Sequence, residues 1–180
     1  MNKADNQLLI IFGASGDLTA RKLLPALFEL HIKNMLPTNF AILGAARTEF
    51  TDEEYRASTE IHLREALKDR AADEAQIQSF LQLVYYVAFD STQSEEYTRL
   101  KAKVRQLQDL KQLGDRVLYY LATPPMMYER IPAFLKDNHM NTADADDGWR
   151  RVIVEKPFGT SLATSQHLNK NLAQIFEEKE

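Results

Sequence analysis

The amino-acid sequence predicts an α/β fold built on a doubly wound parallel sheet. Five short apolar runs alternate with longer helix-forming segments along the whole chain. A helix between two consecutive strands requires those strands to pair in parallel, and repeated crossovers place helices on both faces of the sheet. The 180 residues correspond to about one domain, and no segment has the composition of a linker. We therefore treat residues 1–180 as a single domain.

Continuous apolar runs are typical of strands that are buried on both faces of a parallel sheet. The first run, QLLIIF, is followed by FAILGAA, LVYYVAF, RVLYYLA and RVIVE. The third run is rich in aromatic residues and valine, which favour extended backbone. The predicted strands are 7–12, 40–46, 83–89, 116–122 and 151–155.

Capping residues, proline and the spacing of apolar residues predict the helices between these runs. We expect a helix over 18–33 with a kink or a late start at Pro25, because proline lacks the backbone N–H. Thr51 or Asp52 is suited to cap the next helix, which runs to about residue 70, and a short helix follows near 73–81. A helix over 94–113 has Gly114 as its expected C-cap.

Two further helices complete the alternating pattern. Pro124-Pro125 favours the start of a helix that continues to about residue 136, and the Asp-rich segment 138–148 is a predicted loop. Thr160 or Ser161 is the expected cap of the last helix. Four apolar residues of that helix are expected to face inward: Leu162, Leu168, Leu172 and Ile175.

The composition excludes several classes of protein and site. Cysteine is absent, which excludes disulfide scaffolds and thiolate metal sites and fits a reducing cytoplasm. No apolar run approaches the ~18 residues of a membrane span, and residues 1–7 lack the layout of a signal peptide. The net charge of −4 is unsuited to binding a nucleic-acid backbone. No group of His and carboxylate side chains has the spacing of metal ligands.

The turn after the first strand reads Gly13-Ala-Ser-Gly-Asp-Leu18 and opens a helix. Doubly wound sheets bind ligands at the carboxyl ends of their strands. Glycine allows close approach to the backbone, and the N–H groups of a helix N-terminus attract phosphate. The turn therefore indicates a Rossmann-like dinucleotide site, although an ordinary βα turn needs similar glycines. The absence of a following Gly-Lys-Ser/Thr excludes a P-loop.

The end of the second strand indicates which dinucleotide is bound. NAD sites usually place Asp or Glu there as an acceptor for the ribose 2′-hydroxyl, whereas this strand ends in Ala46-Arg47-Thr48. A guanidinium cannot accept a hydrogen bond, but it pairs well with a 2′-phosphate. The position of Arg47 at the end of this strand therefore favours NADP. Ser15 and Thr48 could donate further hydrogen bonds from their hydroxyls to the 2′-phosphate. The alternative is that Arg47 is a solvated surface residue.

Glu155-Lys-Pro-Phe-Gly159 follows the fifth strand. Lys156 offers a positive charge and three donors to a substrate oxygen or phosphate. Pro157 fixes its own φ and restricts Lys156 to extended geometry, which would aim the ammonium. The alternative is an exposed loop lysine.

Three motifs together resemble the glucose-6-phosphate dehydrogenase family: GASGDLTARKLLPALF at 13–28, YLATPP at 120–125 and EKPFG at 155–159. The resemblance runs in order across nearly the whole chain. It implies a Rossmann-like NAD(P)-binding domain that takes NADP, with NAD as a second coenzyme in some members. It also implies an oxidoreductase of the pentose phosphate pathway, which oxidises glucose 6-phosphate to 6-phosphogluconolactone. Family members carry a C-terminal substrate and dimerisation domain, and we expect this chain to be the coenzyme domain alone.

The resemblance assigns the coenzyme site residue by residue. Ser15 and Arg47 would bind the 2′-phosphate, and Asp90 and Ser91 would lie near the adenosine. The coenzyme turn itself would comprise Gly13, Ala14, Ser15, Gly16, Asp17 and Leu18.

The resemblance also assigns residues to the reacting end of the coenzyme. Lys156 would contact both substrate and coenzyme, Pro157 would help to position the nicotinamide, and Tyr128 would contact the coenzyme. Lys22 would lie near the sugar phosphate. Thr19-Ala20 departs from the Ala-Lys of many relatives and removes one positive charge from the turn.

No catalytic residue is expected within this chain. The family reaction needs a His general base, and the four histidines here fall on predicted helices or a loop: His31, His62, His139 and His167. We expect the base in the missing C-terminal part, so that the chain binds coenzyme without turnover. The parent enzyme would be a homodimer or homotetramer, while the chain itself is left open between a monomer and a weakly self-associating form.

Two other functions compete with this interpretation. A short-chain dehydrogenase pairs Tyr and Lys as Tyr-x-x-x-Lys, which Tyr97 and Lys101 match, but the pair lies on a crossover helix with Tyr97 on its apolar stripe. A non-catalytic NADP-sensing module would share the glycine turn and Arg47. Lys156-Pro157 favours the enzyme, since a sensor has no need to bind a sugar phosphate.

Overall fold

The computed structural model describes residues 3–68 and 73–176. Its centre is one sheet of five strands in the order β3-β2-β1-β4-β5, and every neighbouring pair is parallel. The predicted doubly wound α/β sheet is confirmed. The strands are β1 (Gln7–Phe12), β2 (Phe40–Ala46), β3 (Val84–Ala88), β4 (Arg116–Leu121) and β5 (Trp149–Val154).

The helices lie between the strands in the predicted alternation. A π-helical turn (Thr19–Leu23) leads directly into α1, which has Pro25 in its first turn. The helical backbone already begins at Asp17, so the start is not delayed to Pro25, and the irregularity before this proline is the π-helical turn. The helices are α1 (Leu24–Ile32), α2 (Asp52–Ala66), α3 (Glu74–Leu81), α4 (Glu96–Lys111), α5 (Met127–Asp137) and α6 (Leu162–Ala173).

Two apolar cores hold the helices against opposite faces of the sheet. Leu9 and Ile11 of β1 point to the core formed with α1, α2 and α3, and Leu8 and Ile10 point to the core formed with α4, α5 and α6. Burial on both faces is why β1 and most of β2 read as continuous apolar runs. Among the described residues, no helix is both long and apolar enough to span a bilayer.

Two predicted helix caps are confirmed, and the structure shows a third. Thr51 and Ser161 each accept a bond from a backbone N–H three residues ahead, and in both cases that residue returns a bond, which forms a capping box. Asp73 caps α3. The end of α2 near residue 70 lies outside the described residues.

Three other details were wrong. Gln112, rather than Gly114, takes the left-handed conformation that ends α4. Leu162 is 74% exposed, because it lies in the first turn of α6, beyond the reach of the core. Strand β5 begins at Trp149 instead of residue 151, since the Trp149 amide already donates to Asp115 of the neighbouring chain segment at 3.1 Å.

Candidate functional site

A cleft of about 690 Å³ lies at the carboxyl ends of β1, β2, β3 and β4. Strand order reverses between β1 and β4, and this is where doubly wound sheets bind their ligands. The cleft brings together seven of the residues predicted from the sequence: Gly13, Ser15, Gly16, Arg47, Thr48, Asp90 and Ser91.

The turn after β1 depends on Gly13. Its φ is +83°, and a Cβ built on it would lie 2.2 Å from the carbonyl oxygen of Ala122. Its N–H donates to the Ala45 carbonyl at 2.9 Å, and its own carbonyl accepts from Gly16 at 3.0 Å. The turn is thus fastened to β2 and closed on itself. The backbone can pass this close to β4 only because residue 13 has no side chain.

Residues that the sequence analysis did not single out contact the buried side of the turn. The buried Tyr55 hydroxyl donates to the Ala14 carbonyl at 3.0 Å, and burial raises its pKa, with a smaller contribution from Tyr86. A Cβ on Gly44 would come within 2.8 Å of the Ala14 Cβ and 3.0 Å of the Tyr55 ring. Glycine inside an apolar strand is a signal of close approach that could have identified this layer.

Arg47 and Asp90 lie on the same side of the cleft. Arg47 is exposed. The Asp90 carboxylate accepts from the Thr92 amide at 2.9 Å and its hydroxyl at 2.8 Å. These bonds lower the pKa of Asp90, and the nearby Arg47 charge lowers it further. A cation and a carboxylate therefore stand together at the ends of β2 and β3.

Tyr86 holds the segment that carries Arg47. Its hydroxyl is 3.0 Å from the Ala46 carbonyl and 2.8 Å from the Thr48 carbonyl, and donates to them. Burial, with a contribution from Glu49, raises its pKa to about 12, although bonds with Ser15 and Thr48 act in the opposite direction. The tyrosine thus remains a neutral donor at ordinary pH and ties the end of β2 to the glycine turn.

The remaining residues of the turn lie outside this cleft. Ala14 is buried beneath it, whereas Asp17 and Leu18 are exposed. Asp17 forms an exposed ion pair with Arg21 at 3.5 Å. A second cavity of about 270 Å³ separates the turn from α2, and Ser15 and Thr48 line both spaces.

The residues predicted for the reacting end are further from the cleft. Lys156 and Pro157 follow β5, are exposed and are joined by a cis peptide bond. Tyr128 is buried in α5, and burial, followed by the charge of Glu155, raises its pKa. Lys22 is exposed on the π-helical turn. None of these four side chains lines the 690 Å³ space.

The four histidines are spread over the molecule. His31 packs against Phe28 and Phe80, and His62 bonds through Nδ1 with the Ser58 carbonyl at 2.8 Å. His139 lies in the loop after α5, and His167 lies on α6, 3.6 Å from Glu129. Over 3–68 and 73–176, the structure contains no group of three or more His, Cys, Asp or Glu side chains arranged to hold a metal ion.

Tyr97, the residue that matches a short-chain dehydrogenase pattern, is fully buried. Its ring packs against Phe89 with a centroid separation of 4.9 Å, and its hydroxyl donates to the Ser91 carbonyl at 3.2 Å. A side chain enclosed in the core cannot reach a substrate, so this arrangement does not support a short-chain dehydrogenase.

Comparisons with known proteins agree with this geometry. Residues 10–180 match the family model described as glucose-6-phosphate dehydrogenase, NAD binding domain. The glucose-6-phosphate 1-dehydrogenase of Treponema pallidum is 42% identical over 177 residues, which are 96% of this chain and 33% of that protein. The cytoplasmic isoform from Solanum tuberosum is 35% identical over 94% of this chain and 33% of its own length.

A solved structure of glucose-6-phosphate dehydrogenase in complex with its substrate glucose-6-phosphate superposes with a TM-score of 0.84. It is 35% identical and covers all of this chain, which corresponds to 36% of that protein. The chain thus spans about a third of the length of the relatives that it matches. It belongs to the glucose-6-phosphate dehydrogenase family and corresponds to the NAD-binding domain of that family.

Proposed function

We propose that this chain binds NADP and is the coenzyme-binding part of an enzyme that oxidises glucose 6-phosphate to 6-phosphogluconolactone. The observation that carries the proposal is the cleft in which the Gly13 turn and the Arg47 side chain meet. The turn lets a pyrophosphate approach backbone that has no Cβ, and the guanidinium supplies a positive charge for a 2′-phosphate.

The residues of the cleft fit a dinucleotide along its length. A volume of about 690 Å³ lies within the usual range for cofactor pockets. Ser15 and Arg47 would hold the 2′-phosphate, and Asp90 and Ser91 would bound the adenosine end. Hydride acceptance is the chemistry that the nicotinamide supplies when the coenzyme is bound. This chain contributes binding and orientation to that reaction.

The other end of the coenzyme would lie toward β4 and β5. Lys156 would contact substrate and coenzyme, with Lys22 near the sugar phosphate. Tyr128 and Pro157 would help to place the nicotinamide. The exposed ammonium of Lys156 has no hydrogen-bond partner among the described residues, so it is available to an anionic substrate.

The proposal includes the setting in which the chain works. None of its histidines lies in the cleft, and we propose that the isolated chain binds coenzyme without turnover because the general base is supplied elsewhere in the enzyme. A cytoplasmic location is supported by the name of the potato relative. Neither nucleic acid nor membrane is proposed as a partner.

Thermal unfolding with each coenzyme tests the proposed binding. Ligand that binds the native state stabilises it by RT ln(1 + [L]/Kd), about 2.7 kcal/mol at a hundredfold excess over Kd. NADP⁺ should raise the melting temperature more than NAD⁺, and Arg47→Ala should selectively reduce the NADP⁺ shift. Arg130→Ala, on the exposed face of α5, is the matched control. Equal shifts with both coenzymes would refute the role of Arg47, and no shift with either would refute the site.

An absorbance assay for NADPH with glucose 6-phosphate tests the absence of turnover. We expect no reduction of NADP⁺ above the rate without protein. Appreciable turnover would contradict the proposal that the catalytic base lies outside this chain.

A further inference from the structure

The ends of β2 and β3 place Arg47 and Asp90 in fixed positions beside each other. The Phe89 amide donates to the Ala46 carbonyl at 2.8 Å, so the two strands remain paired just before these residues. The Asp90 carbonyl accepts from the Gln93 amide at 3.1 Å, which closes a turn at the end of β3. Neighbouring strands of a sheet lie about 4.8 Å apart, so the two side chains start from adjacent points of the cleft wall.

The Asp90 carboxylate is held in a way that leaves one of its oxygens unoccupied. Both bonds from Thr92, from its amide at 2.9 Å and from its hydroxyl at 2.8 Å, go to Oδ1. Within residues 3–68 and 73–176, no donor bonds to Oδ2. Each oxygen of an ionised carboxylate can accept hydrogen bonds. Asp90, which lines the cleft, therefore keeps a free acceptor in a fixed orientation.

The Arg47 guanidinium is also free. In the described part of the chain it forms no hydrogen bond and no ion pair, although its charge lowers the pKa of the Asp90 carboxyl. Among the described residues that line the cleft, Arg47 is the one cation and Asp90 is the one carboxylate. The cleft thus offers a cationic donor and an anionic acceptor that are close together but not in contact.

These two groups suit the two forms of the adenosine ribose. The 2′-phosphate of NADP needs a cation, which Arg47 supplies, and it is repelled by a carboxylate nearby. The 2′-hydroxyl of NAD needs an acceptor instead, which NAD sites usually place at the end of β2. Arg47 cannot fill that role, because a guanidinium has no acceptor. Asp90, one strand further along the sheet, has the acceptor that the end of β2 lacks.

We propose that Asp90 is a coenzyme-selectivity residue, which accepts a hydrogen bond from a ribose hydroxyl of NAD and opposes the 2′-phosphate of NADP. The inference rests on the proposed function, because it requires the adenosine half of a dinucleotide to lie in this cleft. Arg47 favours NADP, and Asp90 reduces that preference, so the chain binds both coenzymes. The two side chains together, rather than Arg47 alone, set the ratio of the two affinities.

Asp90 also has a structural role, which the test must separate from the proposed one. Its side chain accepts from the amide two residues ahead, which is the bond of an Asx turn. That turn needs only an acceptor, which Asn and Ser supply as well as Asp does. The selectivity role needs the negative charge. A neutral substitution that keeps an acceptor therefore removes one role and retains the other.

Calorimetric titration with NADP⁺ and with NAD⁺ at low ionic strength tests the proposal. Asp90→Asn should bind NADP⁺ about fivefold more tightly, because a negative charge near the phosphate is removed. It should bind NAD⁺ about threefold more weakly, because a hydrogen bond to a charged acceptor becomes a neutral one. Glu49→Gln is the matched control, since it removes an exposed carboxylate two residues after Arg47 that does not line the cleft. Its affinities should be nearly those of the wild type.

Three further measurements separate the charge from effects on the fold. Asp90→Ser, a second neutral variant, should change both affinities in the same directions as Asp90→Asn. Adenosine 2′,5′-bisphosphate and AMP should repeat the contrast without a nicotinamide, because the effect arises at the adenosine end. The gain with NADP⁺ should shrink in about 1 M salt, where the Debye length is about 3 Å.

The outcomes divide according to how the two coenzymes respond. Tighter binding of NADP⁺ together with weaker binding of NAD⁺ in both neutral variants would support the selectivity role of Asp90. Any other combination would overturn it and leave the coenzyme site in place, as would an equal effect of Glu49→Gln. If the wild-type chain binds neither coenzyme, the proposed function itself fails, and the selectivity role fails with it.

Discussion

Strands β1–β3 and strands β4–β5 differ in how the rest of the chain covers them. The first three strands are buried along nearly their whole length, with helices on both faces. Residues of β4 and β5 alternate between more and less exposed. One face packs against α4, α5 and α6, whereas Leu118 and Tyr120 on the other face are only partly buried against the opposite core. The covered half holds the glycine turn and Arg47 in place. The half formed by β4 and β5, called here the uncovered half, leaves more of its surface exposed.

The uncovered half is held at its amino end by polar contacts. The Asp115 carboxylate accepts from Arg150 at 2.5 Å and from the amides of Asp144 at 2.6 Å and Ala145 at 3.0 Å. Arg116 and Asp147 form a second ion pair beside it. Hydrogen bonds and ion pairs between side chains thus hold the start of β4 and β5 in place, whereas packed helices hold β1–β3 in place. The five predictions below test this difference, from the largest expected effect to the smallest.

Gly13→Ala is expected to have the largest effect, because residue 13 lies where the two halves meet. The change places a Cβ against the Ala122 carbonyl in a left-handed conformation. We expect a loss of roughly 2–6 kcal/mol, from about 1–3 for backbone strain and about 1–3 for overpacking. Urea unfolding measures it. Gly16→Ala is the matched control, since its φ is not positive and its nearest neighbour lies at 3.2 Å. Equal losses in the two variants would show that the approach of β4 to the turn is unimportant.

Asp115→Asn tests whether polar contacts hold the uncovered half. The change leaves the Arg150 guanidinium buried without its carboxylate, for which we expect a loss of about 3 kcal/mol in the free energy of unfolding. A loss below about 0.5 kcal/mol, the size of an ordinary surface change, would show that this half does not depend on the network.

The same residue gives the wild-type chain a pH dependence. Burial of Asp115 favours its neutral form, but bonds from Ala145, Arg150 and Asp144 outweigh burial and lower its pKa below the ordinary 3.8. Its stabilisation is therefore complete above pH 3.8 and is lost as the pH falls through the lower folded value. Asp115→Asn should flatten the stability curve over that range. An unchanged slope would contradict this assignment.

Asp52→Ala tests the closed edge of the covered half. It leaves the buried Tyr86 amide without its acceptor and Lys103 without its 3.0 Å partner, for which we expect a loss of about 1–3 kcal/mol. Chemical denaturation measures the loss, and light scattering should detect new association at the exposed β3 edge. Asp52→Asn, which keeps an acceptor, should recover part of the stability. Glu53→Ala removes a neighbouring but exposed acid and should change little.

Leu162→Gln is expected to have the smallest effect. This side chain in the first turn of α6 is largely exposed, so we expect a change within about 0.5 kcal/mol. Leu168→Gln, one turn and a half further along the same helix, changes a buried residue and serves as the contrast. A large loss from Leu162→Gln would mean that α6 is packed more closely in solution than the fold shows.

Local patterns in the sequence were sufficient for much of the fold. Apolar runs located β1 to β5, and hydroxyl residues located the caps at Thr51 and Ser161. These features depend on residues close together in the chain. The support of the turn by Gly44 and Tyr55 was missed, because the sequence shows neither which strand approaches Ala14 nor which helix lies beneath it.

The sequence alone was enough for the alternation of strands and helices, the glycine turn and the candidate cation at Arg47, since each depends on residue type and short spacing. Only the tertiary structure decided which strands are neighbours, that Arg47 and Asp90 share one cleft, and that side chains of α2 close the outer edge of β3. The physical reason is that hydrophobic periodicity specifies which face of an element is buried. It carries no information about the distant segment that buries it.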